Sequence, residues 1–318
     1  MAAAGAGGER ASGRFGGVRF PFLLAFLVLA GTAFPAAVLA QQDRDKEGFD
    51  NLMPAMGALD RGDYAQAIDS LRPLAADGTI EAQYVLGTVL ETAPPPLRDL
   101  EAALGWYQRA AESGHPGAQN NLGAMHFDGR GALRNPVEAA RWYRLAADQG
   151  HAVAQTNLAL MYGMGVGVPL DIEQMASLLQ KAAESGEVRA QAQLARLYLD
   201  GEGVTQSATE ALRWFRAAAA QDHEDAQFFL AVLLQKGIGA ARDMEASTAW
   251  FRRAAEHGHH LAMLELATAY EMGMGIAADP AAAKSWRERA RAAAEQAAKK
   301  TPDDSRSAQR VDPRRSRH

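Results

Sequence analysis

The sequence predicts an all-α fold, an α-solenoid of helix-turn-helix units that repeat every 36 residues. Three features set that expectation. The pairs Ala82-Gln83, Ala118-Gln119, Ala154-Gln155, Ala190-Gln191 and Ala226-Gln227 keep one spacing, with Ala262-Met263 in the sixth place. Leu86, Leu122, Leu158, Leu194, Leu230 and Leu266 follow at the same step, each trailed by Gly or Ala. Glycine pairs such as Gly129/Gly131 and Gly273/Gly275 then mark turns, since glycine accepts the positive φ that a tight turn requires. The composition agrees: 48% of the 318 residues are apolar, enough for a buried core, and it leans towards Ala and Leu, both strong helix formers.

At the N-terminus, Arg10, Arg14 and Arg19 precede an apolar run from Phe20 to Ala36, and Val38-Leu39-Ala40 precedes the polar Gln41-Gln42-Asp43. This is the layout of a secretory signal peptide over residues 1–40, with cleavage expected after Ala40 and a periplasmic or secreted destination. An uncleaved membrane anchor is the rival reading, because the apolar run approaches the length of a span. Loss of residues 1–40 removes three Arg and one Glu, leaving 30 basic and 37 acidic residues and a net charge of −7. Residues 41–45 read as a linker. Residues 46–81 read as an N-terminal capping helix pair, in which Asp63 and Gly78 stand one period before Asp99 and Gly114. Six units follow over 82–117, 118–153, 154–189, 190–225, 226–261 and 262–297, and residues 298–318 read as a disordered basic tail.

Inside each unit the second helix has a written start. Asp99, Asn135, Asp171, Ser207, Asp243 and Asp279 are all good N-caps, whose side-chain oxygens accept from unpaired N–H groups of the first turn. Glu138, Gln174, Glu210 and, in the capping pair, Gln66 are placed to complete capping boxes. Bulky pairs such as Trp142-Tyr143 and Trp214-Phe215 precede Ala-Ala pairs by four residues, setting a knob beside a hollow on one helical face. Gly114, Gly150, Gly186 and Gly258, with Asp222 in the remaining place, suit a left-handed helix end. A lone unit cannot bury its apolar face, so neighbours must stack upon it.

The absence of cysteine excludes disulfides, thiolate metal sites and a cysteine nucleophile. A net charge of −5 argues against nucleic acid, which demands a concentrated basic surface. No nucleophile, base and orienting group stand outside the repeat, so no catalytic residue and no cofactor is assigned. The Gly-x-Gly pairs read as turns, because they lack the strand that a dinucleotide fingerprint needs. His257, His259 and His260 are weighed as metal ligands and read as a helix-end cluster, His257 and His260 lying outside the repeat pattern.

The sequence Ala-Gln-x-x-Leu-Gly/Ala-x-x-Tyr, then Gly-x-Gly, an N-cap, an aromatic pair and Ala-Ala-x-x-Gly-His, resembles the Sel-one-like repeat family, relatives of tetratricopeptide repeats. The resemblance covers residues 82–297 and implies a right-handed superhelix acting as an adaptor or scaffold for protein complexes. Exported bacterial members include periplasmic regulators of signalling. A cysteine-rich branch linked to β-lactam hydrolysis is a poor match for this cysteine-free chain. Departures are Ala93-Pro94-Pro95-Pro96 in place of the first glycine turn, Leu178-Leu179 in place of an aromatic pair, and Arg287 after Trp286.

The same resemblance places an open, concave face on the first helices of the units. Its positions in the later units hold Arg196, Phe228, Val232, Leu264, Thr268 and Met272, a mixture of apolar anchors, adaptable Met and one Arg that suits capture of a protein or peptide partner. The alternatives are a cell-wall-directed or β-lactam-directed enzyme and a purely structural envelope spacer.

Overall fold

The computed structural model describes residues 51–300. The segments read as signal peptide and linker, the start of the capping pair, and the tail beyond residue 300 lie outside the described residues. Every element within them is a helix. α1 covers residues 51–60, followed by α2 (Tyr64–Ala76), α3 (Ile80–Thr92), α4 (Leu100–Glu112), α5 (Pro116–Asp128), α6 (Pro136–Asp148) and α7 (Ala152–Met164). Then come α8 (Ile172–Glu184), α9 (Val188–Asp200), α10 (Ala208–Ala219), α11 (Glu224–Lys236), α12 (Met244–Glu256), α13 (His260–Met272) and α14 (Pro280–Lys300). The odd-numbered helices from α3 are the first helices of the six units and the even-numbered ones from α4 the second. α14 runs past residue 297, where the sequence reading ended the last unit. No described helix is long and apolar enough to cross a membrane.

From α2 to α13 each helix packs on the helix that follows it in sequence, the signature of a solenoid. The core between paired helices is a fitted set of bulky and small residues. Tyr107 and Tyr143 lie over Gly87 and Gly123, where a Cβ would come 2.8 Å from the ring. Where the second helix offers Leu179, Phe215 or Phe251 instead, the facing residue is Ala159, Ala195 or Ala231, all buried. Tyr therefore faces Gly, and Leu or Phe faces Ala.

All six second-helix N-caps form: the Asp99, Asn135, Asp171, Ser207, Asp243 and Asp279 side chains accept from backbone N–H groups in the first turn that follows. The capping boxes do not close. The backbone N–H of each cap residue donates instead to a carbonyl nine residues earlier, Asn135 to His126 and Asp171 to Tyr162 for example. Glu138 turns to Arg141 and Gln66 accepts from Arg61. Even the Pro-rich first loop keeps this bond, from Asp99 to Leu90. The second turn glycine has a packing role: Gly131 has φ +71°, and a Cβ there would sit 2.5 Å from the carbonyl oxygen of Leu100 in the preceding unit.

The junctions between units use a buried glutamine. Gln83, Gln119, Gln155, Gln191 and Gln227 each donate from Nε2 to an alanine carbonyl eight residues earlier, Ala75, Ala111, Ala147, Ala183 and Ala219, at 3.1–3.2 Å. Their Oε1 atoms are met from thirty residues downstream: Gln149 and Gln221 donate to Gln119 and Gln191, and His257 meets Gln227 at 3.1 Å. His257 thus occupies a repeat position, correcting its placement outside the pattern. Ser113 and Ser185 stand in that position after Gln83 and Gln155, turn back to their own helices, and leave both glutamine oxygens buried without a partner. The substitution Ser185→Gln supplies the missing donor and is expected to stabilise the protein by about 1 kcal/mol. Urea unfolding at equilibrium checks this; an unchanged midpoint refutes it.

Candidate partner-binding face

The links from a second helix to the next first helix are three residues long, four after α10, and one residue joins their two ends. After α4, Ser113 caps the helix, Gly114 takes φ +91°, and the N–H of His115 donates to Ala110. His115 is also the N-cap of α5, its Nδ1 accepting from the N–H of Ala118 at 3.0 Å. His151, His223 and His259 do the same for α7, α11 and α13, and Glu187 for α9. With Nδ1 as acceptor, Nε2 carries the hydrogen. That nitrogen faces Glu81 at 3.1 Å in His115 and Asp225 at 3.4 Å in His259. The rings of these two histidines stack on Tyr84 at 4.3 Å and Phe228 at 4.5 Å. The sequence marked these histidines as a recurring Gly-His or its variant without revealing the cap; the available signal was an imidazole or carboxylate acceptor at all five places, just before a helix start.

This accounts for part of the candidate binding surface. Phe228 is half-buried, held between His259, Phe229 and Phe251, so it joins the last two units. Val232 is half-buried in the same cluster. Arg196 is exposed, its guanidinium 5.8 Å above the Phe229 ring. Leu264 is 39% and Met272 68% exposed, and Thr268 between them donates to the carbonyl of Leu264. Leu264, Thr268 and Met272 lie four residues apart and form one stripe along α13. Leu264 holds the register of Tyr84 and Phe228, but among the described residues no cap histidine covers it.

Towards the other end of the array, the first helices carry a polar network that the sequence reading did not single out. The Tyr107 hydroxyl donates to Glu91 at 2.8 Å, and Glu91 pairs with Arg130, which also donates to Asp128 at 3.0 Å. Burial raises the Tyr107 pKa well above the ordinary phenol value, with the hydrogen bond shared with Thr88 opposing it. Asn157 donates to Asn120 and Asn120 to Asn121, both at 3.1 Å, linking two units side chain to side chain. Against the second helices, His126 stands where Tyr162, Tyr198 and Tyr270 stand in other units, and its half-buried ring borders Glu138, Arg141 and Trp142. Arg141 beside Glu138 lowers that carboxyl's pKa. His257, His259 and His260 do not converge: one meets a glutamine, one caps a helix and one is exposed at the start of α13. Among the described residues no three His, Asp or Glu side chains form a metal-binding group.

With fold and surface described, comparison with known proteins identifies the class. The Sel1 repeat profile matches residues 80–115, 116–151, 152–187, 188–223, 224–259 and 260–294. The protein belongs to the Sel1 repeat family. Among solved structures it is similar to c5321, a protective antigen of uropathogenic Escherichia coli displaying an SLR fold, at 32% identity and TM-score 0.71. That alignment covers 83% of this chain and 57% of the antigen, so the chain spans a little over half the antigen's length. It is also similar to a Sel1 repeat protein from Oxalobacter formigenes, at 30% identity and TM-score 0.66 over 76% of this chain and 96% of that one. No curated protein sequence matches. Sel1 repeat proteins generally mediate protein–protein interaction and are typically non-enzymatic.

The geometry separates two kinds of substitution on this face. Phe228→Ala removes an interlocking ring and is expected to cost about 2 kcal/mol, less than full truncation of a core Phe because the ring is half-buried. Met272→Ala touches an exposed side chain and is expected to stay within about 0.5 kcal/mol. Thermal unfolding of the two variants checks the contrast, and equal losses would contradict the placement of Phe228.

Proposed function

We propose that the protein is an exported, non-enzymatic adaptor that captures a protein or peptide partner along the face of its first helices, serving as a periplasmic regulator. The observation that carries the reading is the stripe Leu264, Thr268 and Met272 with Arg196 two units earlier, in which Leu264, Met272 and Arg196 leave apolar and cationic surface exposed. Met adapts to irregular partners, and Arg is favoured at interfaces because its planar fork binds carboxylates and carbonyls. The family's general role in protein–protein interaction supports the binding reading. The charged start, apolar middle and Ala40 site of residues 1–40 support export.

In-cell crosslinking of the tagged chain, run beside an Arg196→Glu, Leu264→Ser, Met272→Ser variant, tests the first part. A small set of envelope proteins captured by the wild type and lost from the folded variant is the expected outcome. The same proteins in both samples would displace the site, and none in either would favour the spacer reading. The second part predicts a mature chain beginning at Gln41, read from the intact mass of exported protein. A chain retaining its first 40 residues would instead mean an anchored protein.

A further inference from the structure

We propose that the histidine-capped junctions between repeats are a pH-operated catch, which mild acidification opens at four seams of the array while the seam at Glu187 stays shut. The argument starts from the cap bond itself. At His115, His151, His223 and His259, Nδ1 accepts from the N–H of Ala118, Ala154, Ala226 and Ala262 at 3.0–3.3 Å. An imidazolium carries hydrogen on both nitrogens and accepts nothing, so protonation abolishes the cap and turns a donor against the first turn of the helix. The same first turn presents the positive end of the helix dipole, which opposes a cation there. A carboxylate in the same position has no such transition near neutrality: Glu187 accepts from the N–H of Ala190 and from the Thr156 hydroxyl. The array therefore contains its own control.

The charges around each ring tune the seams differently. His115 faces Glu81 of α3, and His259 faces Asp225 and Glu224 of α11 with His260 on its own helix. At the register of Glu81 and Asp225, thirty-four residues before the cap, His151 has Gly117 and His223 has Arg189. The field of His115 also reaches His151, so a charge on the first disfavours a charge on the second. Burial lowers the proton affinity of both His151 and His259, at His259 against the pull of Asp225 and Glu224. A lowered folded-state pKa means that this stabilisation is intact above the unfolded histidine value, about 6.5, and is lost as pH falls through the folded value.

The test is residue-resolved amide exchange on the full mature chain at pH 7.5 and pH 5.0, normalised to intrinsic rates. Protection at Ala118, Ala154, Ala226 and Ala262 is expected to fall about fivefold, the ratio that loss of one N-cap corresponds to, while protection at Ala190 is unchanged. Two exchanges of side chain between seams make the assignment specific. His151→Glu is expected to remove the pH response at Ala154, and Glu187→His to create one at Ala190. Far-ultraviolet circular dichroism confirms the helix content of each variant, and either exchange alone suffices to decide. Equal responses at Ala154 and Ala190 in the wild type, or a pH response at Ala154 that survives His151→Glu, would overturn the proposal.

Discussion

Two helix ends meet at every junction of this array, and each arrives with backbone groups that its own helix cannot satisfy. The last carbonyls of a second helix and the first N–H groups of the next helix are separated by three or four residues and packed together by stacking. A buried, unpartnered polar group costs about 1–3 kcal/mol, so junctions left open would cancel the gain from burying the apolar faces. The repeat solves the problem locally. A glycine, or Asp222 once, turns the chain at positive φ. The next residue caps both helices, and a buried glutamine returns to the preceding alanine carbonyl. The Leu ladder and Ala-Ala hollows close up because these groups are satisfied.

That constraint explains why departures from the pattern come in pairs. Where Ser113 and Ser185 replace a long polar side chain, the fault falls on Gln83 and Gln155, thirty residues upstream. Where the cap is Glu187 rather than histidine, the facing residue is Thr156, whose hydroxyl donates to it, in place of Tyr84, Asn120, Ala192 or Phe228 at the histidine seams. Glycine appears opposite tyrosine and alanine opposite phenylalanine or leucine because the ring sits against the backbone of the first helix. The last unit has Met263 in place of the glutamine, and Leu261 and Leu264 in place of the acid and aromatic residue that receive a histidine. Its side chains make no socket for a seventh unit, as a terminal repeat requires.

Much of this fold was legible from spacing alone. The 36-residue step placed the helix starts, the glycine turns and the left-handed ends, because these depend on properties of single residues: a short oxygen acceptor or freedom at positive φ. What spacing could not supply was the partner. Glu138 and Gln66 sit where a capping box expects them, yet the N–H they were to receive goes to a carbonyl on the preceding helix. His257 looked extraneous because its equivalents are glutamines, and likeness of role at that position is reach and hydrogen bonding rather than side-chain type. Recurrence shows that a position matters; contact thirty residues away shows why.

The candidate surface divides along the same line. Phe228 and Val232 have the composition of interface anchors, but the junction between the last two units uses them first. Arg196 stays exposed although its guanidinium lies over Phe229 of the next unit, and Leu264 and Met272 stay exposed on α13, the last first helix among the described residues. In the earlier units Glu91, Arg130 and Asp128 neutralise one another, and the asparagines satisfy one another across the seam. A partner engaging that region must displace or extend an existing polar network, whereas one engaging α13 buries side chains that now face water. For the proposed partner the favourable area lies towards the final units, and the polar units would restrict which partners can lie across the whole face. On the proposed binding face, affinity and selectivity therefore belong to different ends of the array.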